Sequence, residues 1–416
     1  MGDCLRIEGG RRLSGVVAVE GAKNAALPAC VAALLTDEPL SLHRVPQLRD
    51  VSTILFTLSD LGKRVVRHGA SVVLSSDRPL AAEANAYSVR QMRASFLVLG
   101  PLVARLGRAA VPLPGGCAIG ERSVGLHLDG LRALGGRVSE RGNVVFVEAD
   151  RLRGASIELP FPSVGATEQI LMTAALAAGD TELRNGAIEP EVLDLVGLLE
   201  AMGATIERED RTYRIAGRTE LHGADYAVIP DRMEAGTYLL AGAITGGDVT
   251  VAGIDAEALR PALDALEALG VSIRSEEDRI AASGKGNRPI RVETAPHPGF
   301  PTDLHPPLAA LLAVVPGTSV ISETVFEHRH TYVDGLRRMG AGIAVDGPRV
   351  VITGVERLSG AAVVAPDIRA GAALVLAGLA ARGETQVSGL ETIDRGYAGL
   401  EAKLARLGAA IERREG

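Results

Sequence analysis

The stretch Leu336-Arg337-Arg338-Met339-Gly340-Ala341-Gly342-Ile343 is one of six copies of a single pattern, Leu-x-x-(Leu/Met)-Gly-x-x-(Val/Ile). The other five centre on Gly62, Gly135, Gly203, Gly270 and Gly408, so that successive glycines lie 73, 68, 67, 70 and 68 residues apart as differences of their numbers. Leucines at i and i+3 share one face of a helix. A glycine just past the last turn is the residue that closes a helix in the left-handed conformation. The Val or Ile that follows opens a strand. Each copy therefore predicts a helix that ends at Gly and feeds a strand.

A second element recurs between the copies: an Ala/Leu-rich helical run, a turn, then a β-branched strand. The runs are 27–35, 95–106, 166–178, 235–245, 308–315 and 370–381, the third leading into Thr181-Glu182-Leu183 and the last into Thr385-Gln386-Val387. Helices of this composition are expected to be buried on more than one side. A unit of about 70 residues is longer than a solenoid repeat. Six such units make one ring or two groups of three, and two groups suit the usual size of a domain better. The midpoint then falls at 226–230, and a two-domain chain offers a cleft for a ligand.

Composition narrows the function. The 416 residues are 47% hydrophobic, contain 49 Gly and no Trp, and carry a net charge of −7. That balance argues against nucleic acid, which calls for a basic footprint and aromatic platforms. The longest apolar run stops between Arg369 and Arg382, short of a membrane span. The start, Met1-Gly2-Asp3-Cys4-Leu5-Arg6, has no apolar leader, and Cys4, Cys30 and Cys117 are too widely spaced for a disulfide framework or zinc knuckle. The expectation is a cytoplasmic α/β protein.

Five segments depart from the repeats. Gly21-Ala22-Lys23-Asn24-Ala25-Ala26-Leu27-Pro28 sets a lone Lys and Asn where an apolar helix begins, a place that attracts anions or simply bears a solvated lysine. Pro112-Leu113-Pro114-Gly115-Gly116-Cys117-Ala118-Ile119-Gly120-Glu121-Arg122 reads as an irregular loop that exposes a cysteine, either incidental or set near an arginine able to stabilise a thiolate or a bound anion. Ser163-Val164-Gly165-Ala166-Thr167-Glu168 leads into a helix, either as a phosphate cradle or as an ordinary Ser cap. Pro296-His297-Pro298-Gly299-Phe300-Pro301-Thr302-Asp303 is stiffened by prolines and ends on an Asp that is either a cap or a base. Finally, Arg93, Arg329, Arg369 and Arg395 interrupt apolar surroundings, each a salt-bridge partner or part of a receptor for carboxylate and phosphate. His328 and His330 lack a ligand-rich partner segment, and no metal or cofactor is implied.

Together these segments, with Pro230-Asp231-Arg232 and Ile393-Asp394-Arg395-Gly396-Tyr397, resemble the UDP-N-acetylglucosamine enolpyruvyl transferases over essentially the whole chain. The shikimate-pathway branch of that superfamily lacks the Cys loop. The resemblance implies a two-domain inside-out α/β barrel of six βαβαββ repeats, three per domain, with 22–230 forming the domain that carries the Cys loop and 1–21 plus 231–416 the other. It implies transfer of the enolpyruvyl group of phosphoenolpyruvate to a sugar 3-hydroxyl with release of phosphate, the first committed step of peptidoglycan precursor synthesis. Cys117 would be the general acid and the target of fosfomycin, and Asp303 would accept the hydroxyl proton. Lys23, Arg122 and Arg395 would hold the phosphate, and Arg329 and Arg369 the carboxylate. Asn24 would contact the amino-sugar. Arg93 and the Ser163, Val164 and Gly165 backbone would face the nucleotide, while Asp231, Glu327 and Asp367 would complete the substrate shell. The partners implied are phosphoenolpyruvate and a uridine nucleotide or nucleotide-sugar.

Several positions leave the family pattern: Arg122-Ser123-Val124-Gly125, Leu304-His305-Pro306-Pro307, Phe326-Glu327-His328-Arg329-His330 and Thr392. By the resemblance, all would lie near the acceptor side. They keep open an enolpyruvyl transferase of specialised metabolism acting on another uridine nucleotide, such as UMP in nucleoside-antibiotic pathways.

Overall fold

The chain is seen in a computed structural model that describes residues 3–115 and 123–414. It divides into two compact units, one of residues 3–20 with 230–414, the other of 21–115 with 123–229. The fold is mixed α/β. Among the described residues, no helix is long and apolar enough to cross a membrane.

The helix ends follow from the glycine pattern. Past the helix Val333–Arg338, the Gly340 N–H donates to the Arg337 carbonyl at 2.9 Å and the Ala341 N–H to the Leu336 carbonyl at 3.0 Å. This pair of bonds satisfies carbonyls that the helix leaves open, and it requires a left-handed residue at the glycine. Gly340 has φ +91°, and the corresponding glycines 62, 135, 203, 270 and 408 are all at positive φ. Ile343 then enters the strand Gly342–Asp346.

The unit of 3–20 and 230–414 holds three four-stranded sheets. In each, one parallel pair is followed by two antiparallel ones. The first residues of the chain are sewn into this unit. Cys4–Glu8 lies between Glu384–Ser388 and Ala410–Arg414, with Ile7 opposite Thr385 and Ile411. Ser14–Ala18 runs parallel to Asp248–Ala252, with Val17 opposite Val251. The helices Arg232–Thr245, His305–Leu312 and Ile368–Ala380 pack against one another and against strands of these sheets. They are buried nearly all round, as their Ala/Leu composition requires.

The unit of 21–115 and 123–229 has two four-stranded sheets of the same order and one of three strands, Arg108–Pro112, Val144–Glu148 and Arg137–Arg141. Its apolar helices include Lys23–Ala32, Leu99–Leu106 and Val164–Ala174. An outer helix, Arg49–Asp60, is one-sided instead: Val51, Ile54, Leu55 and Leu58 are buried at helical spacing and each contributes about 2 kcal/mol.

An added Cβ at Gly340 would meet nothing within 4 Å, so the backbone alone resists a side chain there. Gly340→Ala should therefore cost about 1–2 kcal/mol in urea unfolding through left-handed strain. An unchanged midpoint would show that the helix end does not need this conformation.

Candidate functional site

In the unit of 230–414, Asp303 lies in the short 3-10 turn Thr302–Leu304, directly ahead of the helix His305–Leu312. That helix has prolines in its first turn, where missing N–H donors do no harm, and no side-chain cap. Asp303 is thus not a cap. Its Oδ1 accepts from Arg329 Nη2 at 2.6 Å, and its Oδ2 accepts from Arg369 Nη2 at 2.8 Å and Nε at 3.0 Å. The two guanidiniums are nearly enclosed, with side chains 3% and 5% exposed, whereas Asp303 keeps 26% of its side chain open. Buried cations are tolerated only when paired, and here one carboxylate serves both. Arg329 Nε also donates to the Thr302 carbonyl at 3.0 Å. Arg369 stands over the Tyr397 ring, 5.3 Å from its centroid. Burial works against the Arg369 charge, but Asp303, Tyr397 and Asp231 outweigh it and its pKa is raised.

Two further acids in this unit act as helix caps. Asp367 Oδ1 accepts the Arg369 and Ala370 N–H groups that open Ile368–Ala380, and its Oδ2 accepts the Thr331 hydroxyl. Asp231 accepts from the Met233 and Glu234 N–H groups at 2.8 and 2.9 Å. Arg395 is half-buried in the turn after the helix Leu390–Ile393, whereas Glu327 is exposed.

In the unit of 21–115 and 123–229, Lys23 is the first residue of its helix, and its Nζ lies 3.2 Å from Asp50 Oδ2. Both groups are buried, and Asn24 beside them is exposed. Ser163 caps Val164–Ala174, accepting from the Ala166 N–H at 3.4 Å. An added Cβ at Gly165 would come within 3.0 Å of His127 Cε1, so the backbone passes directly over that ring. His127 is buried, edge-on to Phe96 at 5.6 Å, with Nδ1 3.0 Å from Gln169 Oε1. Burial pushes its pKa down to about 4; the Gln169 bond opposes this and the Arg93 charge adds to it. Arg93 opens the 3-10 helix Arg93–Val98 and donates to the Ser123 carbonyl at 3.0 Å. Glu168 is enclosed, and burial, together with Glu191 and Glu189, drives its carboxyl well above the ordinary range.

Asp303, Arg329, Arg369 and Asp367 are thus drawn into one cluster, while Glu327 stays outside it. Cys117 and Arg122 lie outside the described residues. Cys30 is packed in the helix Lys23–Ala32, where burial pushes its thiol up to about 12.

Sequence reasoning missed a buried group beside Asp303. His305 Nδ1 is 2.8 Å from Glu323 Oε2, and its Nε2 is 2.8 Å from the Tyr332 hydroxyl. The partners are 18 and 27 residues away, with no periodicity linking them. The sequence signals were the polar His305 within an apolar helix start and the departure of Leu304-His305-Pro306-Pro307 from the family pattern.

The profile of the family described as EPSP synthase (3-phosphoshikimate 1-carboxyvinyltransferase) matches residues 7–404. The chain is 48% identical over 411 residues to UDP-N-acetylglucosamine 1-carboxyvinyltransferase 2 of Carboxydothermus hydrogenoformans, covering 98% of each. It is 47% identical over 417 residues to UDP-N-acetylglucosamine 1-carboxyvinyltransferase 1 of Staphylococcus aureus strain MRSA252, covering 99% of each. Among solved structures it is similar to the enolpyruvyl transferase NikO from Streptomyces tendae, with a TM-score of 0.91, 28% identity and full coverage of both chains. An EPSP synthase from Acinetobacter baumannii shares the fold at a TM-score of 0.76 and 19% identity, over 99% of this chain and all of the other.

The depressed pKa of His127 has a thermodynamic consequence. Above pH 6.5 the ring is neutral in both folded and unfolded chains. As pH falls toward 4, the unfolded chain takes up the proton first, so the stability from keeping His127 neutral is lost. Between pH 7 and 4.5, wild type should lose about 2 kcal/mol more than His127→Gln in urea unfolding. Parallel pH profiles would contradict the buried neutral ring.

Proposed function

Since the chain belongs to the EPSP synthase (3-phosphoshikimate 1-carboxyvinyltransferase) family, we propose that it transfers the enolpyruvyl group of phosphoenolpyruvate to the 3-hydroxyl of UDP-N-acetylglucosamine, releasing phosphate. The observation that carries this reading is the near-half identity, along the whole length, to relatives bearing that activity in their names. Residues 22–230 and 1–21 plus 231–416 then serve as two domains of three βαβαββ units each, folded as inside-out barrels. The six sheets and the six matching glycine helix ends support that arrangement. In a cytoplasmic setting both substrates belong to cell-wall precursor synthesis.

The chemistry asks for a base, an acid and fixed cations. The acceptor hydroxyl oxygen bonds to the central carbon of the enolpyruvyl group, and its proton passes to Asp303. Cys117 gives a proton to the methylene carbon, which becomes a methyl group. The carbon–oxygen bond to phosphate then breaks, the leaving phosphate taking up the proton held by Asp303, and a methyl proton returns to the Cys117 thiolate, restoring the double bond. Asp303 suits the role of base because its two arginine partners fix its direction while 26% of its side chain stays open. Arg329 and Arg369 are held in place before substrate arrives, so their charges need little reorganisation around the incoming carboxylate. Lys23, Arg122 and Arg395 take the phosphate. Asn24 contacts the amino-sugar, and Arg93 with the Ser163–Gly165 backbone faces the nucleotide. Asp231, Glu327 and Asp367 belong to the substrate shell, the first and last through the helix starts they cap.

The test is phosphate release from phosphoenolpyruvate with UDP-N-acetylglucosamine, UMP or shikimate 3-phosphate as acceptor. Release with the amino-sugar nucleotide alone is expected; release with UMP alone or shikimate 3-phosphate alone overturns the assignment. In the same assay Cys117→Asp should keep turnover yet lose covalent labelling by fosfomycin, and persistent labelling would move the thiol's role elsewhere.

A further inference from the structure

The geometry points to His305 and Glu323 as positioning residues that set the distance and direction between Asp303 and Arg329. This inference rests on the reading of Asp303 as the base.

Glu323 follows the strand Thr318–Ser322 and is buried. Its carboxylate collects five donors. Oε1 accepts the Thr294 hydroxyl at 2.9 Å and the Val325 and Phe326 N–H groups at 2.9 and 3.0 Å. Oε2 accepts the Thr302 hydroxyl at 2.9 Å and His305 Nδ1 at 2.8 Å. Thr302 and His305 bracket Asp303-Leu304 in the chain, so Oε2 grips both ends of the turn that carries the base. Val325 and Phe326 lead into the turn that carries Arg329, so Oε1 grips that side. One carboxylate therefore fixes the two segments whose side chains meet at 2.6 Å.

His305 extends the clamp. Its ring is fully enclosed, and its Nε2 lies 2.8 Å from the hydroxyl of Tyr332, just beyond Arg329. Tyr332 adjoins Thr331, whose hydroxyl bonds to Asp367, the cap of the helix that begins with Ile368 and Arg369. The bonding suits a neutral imidazole that gives its Nδ1 proton to Glu323 and accepts the Tyr332 proton at Nε2. Burial lowers the His305 pKa against the pull of Glu323. Burial raises the Glu323 carboxyl, but the His305 bond and the Phe326 and Val325 N–H groups outweigh it and hold it below the usual range. Such a ring holds one tautomer and adds no charge behind the arginines. A leucine in its place would fill the volume but remove a donor from Glu323 and leave the buried Tyr332 hydroxyl without its acceptor.

The experiment compares His305→Leu, His305→Asn and Tyr332→Phe with wild type in steady-state phosphate release. Asn can still donate from the Nδ1 position. In His305→Leu, kcat should fall ~10–100-fold, the scale of a small misplacement of the base, while both KM values stay within about threefold. His305→Asn, which keeps a donor to Glu323 but still strands the Tyr332 hydroxyl, should recover kcat to within about threefold of wild type, and Tyr332→Phe, which keeps that donor and strands no hydroxyl, should lie between His305→Asn and wild type. A His305→Leu enzyme with kcat within about twofold of wild type, or an Asn variant as impaired as Leu, overturns the inference. If the Leu variant does not fold, the other two decide: His305→Asn must be the slower, and the reverse order refutes the clamp. Wild type with no turnover on any acceptor would instead refute the proposed function, so the two failures are separable.

Discussion

The unit of 230–414 is organised around one electrostatic constraint: two nearly buried guanidiniums, Arg329 and Arg369, share the single carboxylate of Asp303. Neither cation could stay enclosed at reasonable cost without it, and the carboxylate could not be aimed so narrowly without them. The rest of the local structure secures the three chain segments that meet there. Thr302 receives Arg329 Nε on its carbonyl, Asp367 fixes the start of the helix bearing Arg369, and Glu323 ties the Asp303 turn to the Arg329 turn.

Such a cluster is stiff, and Asp303 gives it a partly open face. Stiffness suits a reaction whose transition state concentrates negative charge on a carboxylate and a phosphate, because fixed cations need not reorient during the chemical step. The other unit shows a comparable habit. Lys23 is held by Asp50, and His127 is kept neutral beneath Gly165, while Asn24 remains exposed.

How much of this could be read from the sequence differs by scale. Helix ends were legible because the bonds that close them span only six residues, from Leu336 to Ala341, and depend on one glycine. All-round burial of helices such as Ile368–Ala380 followed from composition. Arg329 and Arg369 stood out as charges in apolar surroundings and Asp303 as the end of a proline-stiffened loop, but nothing local showed that they bond to one another across 26 and 66 residues. The cap-or-base ambiguity of Asp303 needed coordinates: its helix starts on prolines and takes no side-chain cap. The His305–Glu323–Tyr332 group stayed hidden because its partners belong to a strand end and two helix starts that only the tertiary fold unites.

The most direct test of the central claim is a single-turnover measurement on Asp303→Asn with phosphoenolpyruvate binding measured in parallel. With the carboxylate gone and both arginines present, phosphoenolpyruvate should bind at least as tightly as to wild type. Phosphate release in the presence of UDP-N-acetylglucosamine should meanwhile slow by ~10³-fold, within the range expected for loss of a general base. Release within about tenfold of the wild-type rate would contradict the account, since the proton would then have another acceptor.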